Sequence, residues 1–464
     1  MGFVHLVPLF SVRRQASVVV AAEDGPRVPA GVDAGKLGQA QCRKTAQAQG
    51  RVRSLKGGQM SKLFERHRDC LTLALKAISE RGYWSPYPEN PSPKVYGEDA
   101  KAQAEAAFKS QLGQPFDLDQ PSSLGRVGAE RSPYGFDLGI TYPKASIEDL
   151  VAAAGAAADN WSQATIEDWV GVCLESLARL NRKSFEIANA VMHTTGQSWP
   201  MAFQAGGPNA QDRGLEAVAY AYGEMTRIPG HVLWQKPQGK ADPIRLEKAF
   251  RVVPRGIALV IGCSTFPTWN GYPGLFASLA TGNAVIVKPH PGAILPLALS
   301  VRIIRQVLAE EGFDPNAVQL AADSPQAPIT KELVRQKAIG IIDFTGSPAF
   351  GDWVKANAQG AQVYTEQAGV NSVVIDGIDN FQGMCANLAF SLSLYSGQMC
   401  TAPQNIYVPR GGVATNEGKK SLDQVGRGIA QAIESLLGAP ERAATILGAI
   451  QNEATLRRVA EAKA

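Results

Sequence analysis

A chain of 464 residues, 45% hydrophobic and 19% charged, is long enough for two or three domains and for a sizeable core. The formal net charge of +4 is small and scattered, which argues against the concentrated basic face of a nucleic-acid binder, and no apolar run reaches bilayer length. Six cysteines without a C-x-x-C pair, and five histidines without metal-ligand spacing, argue against a disulfide framework and a bound metal. Unpaired thiols of this kind fit a reducing, cytoplasmic compartment.

Residues 1–59 differ from the rest: nine Lys and Arg stand against Glu23, Asp24 and Asp33, with no sustained helical or strand period. The segment reads as a disordered or non-native extension, with a targeting peptide as the alternative, since Arg13 and Arg14 precede a short apolar run. From Met60 the pattern changes. Leu63, Phe64, Leu71, Leu75 and Ile78 predict an amphipathic helix over Ser61–Arg81 with Gly82 as its stop. After a proline-punctuated stretch from Ser85 to Pro121, Ser146-x-x-Asp149 and Thr165-x-x-Asp168 predict two helix starts, the second helix running toward His193.

Beyond Phe250 short apolar runs alternate with helical segments. Strands are predicted at Gly256–Ile261, Ala284–Val287, Ala317–Leu320 and Gly340–Phe344, and helices at Leu295–Glu311 and Pro348–Ala358. Buried strands separated by helices predict an α/β fold with a parallel sheet. The alternation resumes with strand Ser372–Ile375, a helix around Met384–Tyr395, strand Asn405–Val408 and helix Ser421–Leu437.

The chemically informative stretch is Ser396-Gly397-Gln398-Met399-Cys400-Thr401-Ala402. Small, flexible residues flank a cysteine between a helix and a strand, as a nucleophilic thiol requires: an exposed turn, room for a carbonyl, and a backbone N–H near the developing negative charge. Taken alone, Cys400 would pass for a buried, inert thiol, and Glu366 for a surface carboxylate. Together, GQMCTA resembles the active-site cysteine motif of the aldehyde dehydrogenase superfamily. Thr365-Glu366-Gln367-Ala368-Gly369 resembles that family's general-base motif, 34 positions earlier (366 to 400). Phe344-Thr345-Gly346-Ser347-Pro348-Ala349-Phe350-Gly351 resembles its cofactor glycine motif, and Lys288-Pro289 its ribose-binding lysine. Four motifs in the family's order make a specific match.

The resemblance runs from about Met60 to the end. RGYWSPYPENPSPKVYGE, VMHTTGQ, AFQAGGPNAQDRGLEAVAYAY and TFPTWNGYPGLFASLATGNAV are similar to the aldehyde dehydrogenases of bacterial phenylacetate degradation. That similarity implies a ring-opened, CoA-linked semialdehyde as substrate. The family implies a Rossmann-type cofactor domain (60–365, with an N-terminal helical region), an α/β catalytic domain (366–464), and NADP or NAD as cofactor. In its mechanism the Cys400 thiolate attacks the aldehyde, hydride leaves for the nicotinamide, and Glu366 activates water against the thioester. Gly346, Ser347 and Gly351 would receive the pyrophosphate at a helix N-terminus.

Three departures shape the expectations. Counting back from Gly282-Asn283, the family's oxyanion asparagine falls on Thr265, beside Ser264; a hydroxyl is shorter than an amide, and Asn270 lies five positions on. Where NAD-preferring members carry a ribose-reading glutamate, this chain has Pro291 after His290, so Lys288 and His290 are expected to tolerate or prefer the 2′-phosphate of NADP. The resemblance also implies chain beyond Ala464, leaving the catalytic domain incomplete; the longer protein would be a homo-oligomer. A CoA-acylating dehydrogenase and a catalytically silent dinucleotide-binding fragment remain as alternatives.

Overall fold

The computed structural model describes residues 61–463 except 451. The expected extension at 1–59 lies outside the described residues. Helix α1 (Lys62–Glu80) buries Leu63, Phe64 and Leu71. It ends before the expected Gly82, because Arg81 itself turns left-handed (φ 53°) and returns its N–H to the Ala77 carbonyl. Helices α2 (Ile147–Trp161) and α3 (Ile166–Arg182) begin where their caps predict. Ser146 accepts from the Asp149 N–H, and Thr165 and Asp168 form a reciprocal box.

The run toward His193 is not one helix. It breaks at Lys183 (φ −104°, ψ 13°) and resumes as α4 (Ser184–Thr195). The Ser184 hydroxyl donates to the Asn181 carbonyl at 2.8 Å, a local side-chain bond that competes with the helical ladder. Helices α5 (Trp199–Gly206) and α6 (Pro208–Thr226) follow. An antiparallel hairpin, β1 (His231–Gln238) and β2 (Ala241–Ala249), then turns at Gly239 (φ 62°).

At the centre lies a parallel sheet of β3 (Ile257–Ile261), β4 (Ala284–Lys288), β5 (Val318–Leu320), β6 (Ile339–Gly346) and β7 (Gln362–Gln367). Its spatial order is β7-β6-β3-β4-β5. The first four match predicted apolar runs; β7, an edge strand reading QVYTEQ, carries too little apolar patterning to be seen beforehand. Helices α7 (Pro267–Ala280) and α8 (Leu295–Glu310) connect β3 to β4 and β4 to β5, and α9 (Pro348–Asn357) connects β6 to β7.

Period-two alternation divides the strand side chains between two cores. Ala258, Val260, Val285, Val287, Val318 and Leu320 pack with residues of α1, α3, α7 and α8. Leu259, Ile261, Ile286, Ile342 and Phe344 pack with Leu150 and Ala154 of α2 and Val354 of α9. Truncating a core side chain as large as Phe276, 0% exposed, costs about 3–5 kcal/mol.

Past the sheet, β8 (Asn371–Val374) and β9 (Pro403–Tyr407) pair in parallel. Helices α10 (Phe381–Ser393) and α11 (Leu422–Leu437) build a separate core from Phe381, Cys385, Leu388, Val425 and Ile429. The expected domain boundary at 365/366 cuts through β7. Glu366 therefore belongs to the central sheet, and the second core starts after it. Among the described residues no helix is long and apolar enough to cross a membrane, no His/Cys/Asp/Glu group could hold a metal, and Cys70, Cys173, Cys263, Cys385 and Cys400 are free thiols.

Candidate active site

The strand order reverses between β3 and β6, so the crevice of this sheet opens there, at the strands' carboxyl ends. The residues singled out in the sequence gather along that edge. Glu366 lies near the end of β7, in register with Thr345 of β6. The loop Gly262–Phe266 leaves β3 and enters α7.

Cys400 sits in an exposed turn after α10. Two consecutive non-glycine residues before it, Tyr395 and Ser396, hold φ of 53° and 54°, a left-handed conformation that persists only when its surroundings enforce it. Here they do. The Tyr395 hydroxyl donates to the Thr195 carbonyl and its ring meets Phe266 edge-on at 5.6 Å. The Ser396 hydroxyl donates to the Gly448 carbonyl at 2.8 Å, and the Gln398 amide donates to the Ala449 carbonyl at 3.1 Å. On the far side the Asn371 amide donates to the carbonyls of Cys400 (2.6 Å) and Ala402 (3.1 Å).

The charges around the thiol oppose one another. Desolvation, then the Glu366 carboxylate, then Cys263 raise the Cys400 pKa; its own backbone N–H and the Arg213 guanidinium pull it down. Cys400 and Glu366 thus share one electrostatic environment, together with two residues the sequence did not flag. Arg213, on α6, donates to the Trp269 carbonyl at 2.9 Å and stacks on the Trp269 ring at 5.0 Å. A third unflagged residue is Asp343 of β6. Desolvation and then Glu366 push it up to about 6, while Arg213 opposes the rise. A Cβ on Gly274 would stand 2.5 Å from the Asp343 carboxyl carbon, so the glycine is what lets α7 rest on that carboxylate.

Thr265, the expected oxyanion donor, turns its hydroxyl to the Cys263 sulfur (3.8 Å), and half-buried Ser264 lies beside it. The Phe266 N–H (3.4 Å) and the Asn270 amide (3.5 Å) point at the same sulfur. Asn270 is 7% exposed and its amide oxygen is buried without a hydrogen-bond partner. The first turn of α7 has therefore brought the distant asparagine back beside Thr265, a juxtaposition that five positions of helix, rather than a loop, make possible. The Gln197 amide holds this loop by donating to the Thr265 carbonyl at 2.8 Å.

The expected cofactor residues lie at the carboxyl ends of β4 and β6 and at the start of α9. Lys288 ends β4, but its ammonium is nearly fully buried, 2.7 Å from Asp323 and donating to the Pro289 carbonyl. His290 is exposed; its Nδ1 accepts from the Gly292 N–H at 3.1 Å, which puts the ring proton on Nε2. Desolvation of the ring and the Lys288 charge push it down to about 4, so it is neutral at pH 7. Ser347 caps α9 by accepting from the Phe350 N–H. The glycines serve packing in this chain. A Cβ on Gly346 would meet the Phe344 ring at 2.6 Å, and one on Gly351 would meet the Gln367 amide at 2.1 Å. The space expected to admit the pyrophosphate backbone at Gly351 is thus filled by Gln367.

The donors this edge leaves for a cofactor are the backbone N–H groups at the α9 N-terminus, since the Lys288 and Asp323 side chains, 2% and 1% exposed, close on each other. The Asp323 Oδ1 is buried without a well-directed hydrogen bond although the Lys288 ammonium is near it.

Comparison with known proteins agrees with this geometry. The model of the aldehyde dehydrogenase family matches residues 141–464. A crystal structure of an NAD-dependent aldehyde dehydrogenase from Burkholderia multivorans is similar, with a TM-score of 0.84 and 59% identity, covering 87% of this chain and 72% of that one. The Thermus 1-pyrroline-5-carboxylate dehydrogenase with bound NAD shares the fold at 19% identity, with a TM-score of 0.63, over 81% of this chain and 71% of that one. Among curated relatives, 1-pyrroline-5-carboxylate dehydrogenase of Bacillus licheniformis is 24% identical over 67% of this chain and 57% of its own length. Benzaldehyde dehydrogenase [NAD(+)] of Pseudomonas putida is 25% identical over 62% of this chain and 57% of its own. The chain spans a little over half the length of these curated relatives. With the family model matching more than half of its residues, the chain belongs to the aldehyde dehydrogenase family.

Proposed function

We propose that this protein oxidises an aldehyde to a carboxylic acid with NAD or NADP, through a thioester on Cys400. The observation that carries the reading is the shared environment of the Cys400 thiol and the Glu366 carboxylate at the mouth of the crevice. The attacking species is the Cys400 thiolate, its proton released to solvent; the residue's own N–H and Arg213 favour that form against desolvation and Glu366. Cys400 then bonds to the carbonyl carbon, and the oxygen takes up negative charge near the Cys400 N–H. Thr265 and Asn270, both aimed at the adjacent Cys263 sulfur, supply the side-chain donors of that loop. Nicotinamide, when bound, accepts the hydride. Glu366 then deprotonates the water that cleaves the thioester, and its presence favours hydrolysis over transfer to free CoA.

The substrate we assign is a ring-opened, CoA-linked semialdehyde of phenylacetate breakdown. Its support is the convergence of the segments that carry that finer resemblance. Val191–Gln197 holds Tyr395 and the Thr265 loop, and the Ala202–Tyr222 segment holds Trp269 and Thr268 through Arg213 and Gly206. Thr195 and the loop at Phe266 reach the turn before Cys400 through Tyr395. The apolar face of the hairpin β1–β2 supports self-association.

The test is NADH or NADPH formation by the wild type and by Cys400→Ser with a panel of aldehydes, with and without CoA. Wild-type reduction that needs no CoA, lost in Cys400→Ser while cofactor binding persists, is the expected result. Retained turnover in Cys400→Ser removes the thiol from the chemistry. Activity only with CoA present replaces hydrolysis by acylation.

A further inference from the structure

Beside the nucleophile lies a cation whose hydrogen-bonding head is only partly used. Arg213 is on α6, next to Gly214, where a Cβ would stand 2.9 Å from the Phe276 ring of α7. That glycine lets the two helices approach, and the approach brings Arg213 over the first turn of α7. There its Nε donates to the Trp269 carbonyl at 2.9 Å, and its guanidinium lies over the Trp269 ring, 5.0 Å from the centroid. One directed bond and one ring face fix the plane of the guanidinium and leave its two terminal amino groups over. Among the described residues neither amino group meets an acceptor, and no carboxylate forms an ion pair with Arg213. The side chain is half-buried, so this fork is reachable, whereas Lys288 closes on Asp323 at 2.7 Å.

The fork also stands close to the chemistry. Trp269 is three residues past Phe266, whose ring meets Tyr395 of the Cys400 turn edge-on at 5.6 Å. The Arg213 charge acts on both the Cys400 thiol and Asp343 of β6, so the guanidinium lies within electrostatic reach of the reacting sulfur.

We propose that Arg213 sets the substrate specificity of this site: its free amino groups take an acyl oxygen at the far end of the substrate, so that the protein selects aldehydes that also carry a carboxylate or a thioester over plain alkanals. The inference rests on Cys400 being the nucleophile and narrows the substrate to one chemical feature. A carboxylate meets both amino groups through its two oxygens, and a thioester carbonyl meets one; an alkanal offers neither acceptor. With an alkanal bound, the fork is cut off from water and left unpaired, which penalises that substrate.

The experiment measures kcat and KM of the full chain for hexanal, adipic semialdehyde and the N-acetylcysteamine thioester of adipic semialdehyde, in the wild type, Arg213→Lys and Arg213→Met. We expect wild-type kcat/KM for the acid or the thioester to exceed that for hexanal by roughly 10- to 100-fold, with the difference in KM. Preference for the acid identifies a free carboxylate as the group taken, and preference for the thioester identifies the linked form. Arg213→Met should bring the ratio to within about threefold, and Arg213→Lys, which keeps the charge without the fork, should retain part of it for the acid. Any effect of Arg213 on the thiol itself cancels in this ratio. A merely structural arginine lowers all three substrates alike; an unchanged ratio in the variants, or a wild type indifferent to the acyl group, overturns the proposal. Alkylation of Cys400 by iodoacetamide gives a reading that needs no turnover: adipate should slow it in the wild type and not in Arg213→Met, and equal protection of both overturns the role of Arg213. A wild type that oxidises none of the aldehydes defeats the dehydrogenase reading, and this inference with it.

Discussion

At the Cys400 thiol, two acidic neighbours and one cation compete. Desolvation and Glu366 hold the thiol in its protonated form, and Arg213 and the residue's own N–H resist. Replacing Glu366 by Gln removes the larger of the charged influences, so the Cys400 pKa should fall. Alkylation by iodoacetamide at pH 7 should then be faster in Glu366→Gln than in the wild type. The same variant loses the base for thioester hydrolysis. A first burst of reduced cofactor should survive while the steady-state rate drops by roughly two to four orders of magnitude. An undiminished steady-state rate, or slower alkylation, would contradict the placement of Glu366 beside the thiol. The Cys263 sulfur gathers Thr265, Phe266 and Asn270, so the donors of this loop are organised around a second thiol.

Among the elements, the hairpin β1–β2 stands apart. In its register Trp234 faces Leu246 and Lys236 faces Ile244, so Val232, Trp234, Ile244 and Leu246 share one face. Their exposures of 42, 38, 41 and 48% leave that face largely open in the single chain. A two-stranded ribbon is marginal in water by itself, and an apolar face of this kind favours a second copy of the chain. Light scattering should show an oligomer for the wild type and a monomer for Trp234→Glu/Leu246→Glu. A monomeric wild type, or a variant that still assembles, removes the hairpin from any interface. Alternation with Gln235, Arg245 and Glu247, and the lysines Lys236 and Lys248 within the face itself, hide these strands from a search for continuous apolar runs.

For the whole molecule, buried carboxyl groups set an unusual pH response. Desolvation raises Glu130 to about 7, against hydrogen bonds from Tyr142 and the Leu295 and Ile294 N–H groups. Desolvation likewise lifts Asp212 to about 7 and Asp343 to about 6. Each binds its proton more tightly folded than unfolded. Its contribution is complete below the unfolded pKa of about 4 and is lost as pH rises through 6 to 7. Glu175 runs the other way. Desolvation raises it, but hydrogen bonds from Arg179, His67 and Arg66 outweigh that and lower it to about 2, so its contribution is lost as pH falls below about 4. The thermal midpoint should peak at about pH 5 and decline toward pH 8. A scan of midpoint against pH showing a steady rise from 5 to 8 would defeat this account.

The residue order alone determined the parallel α/β sheet, because β3 to β6 are short apolar runs whose burial leaves few alternatives. It also determined the Cys400 and Glu366 motifs, which the fold brings within electrostatic reach of each other. Thr165 and Asp168 announced a helix start because a cap is local chemistry. The edge strand carrying Glu366 and the exposed hairpin were decided elsewhere, by strand pairings with no local period. So was the neighbourhood of the chemistry. Arg213, Asp343 and Asp323 come from segments far apart in the chain, and no motif marks them. Only the fold could set Asp323 against Lys288, since that pair depends on two strands lying side by side. The Lys288–Asp323 pair at the sheet's carboxyl edge is therefore a property of the strand order, which no single segment carries.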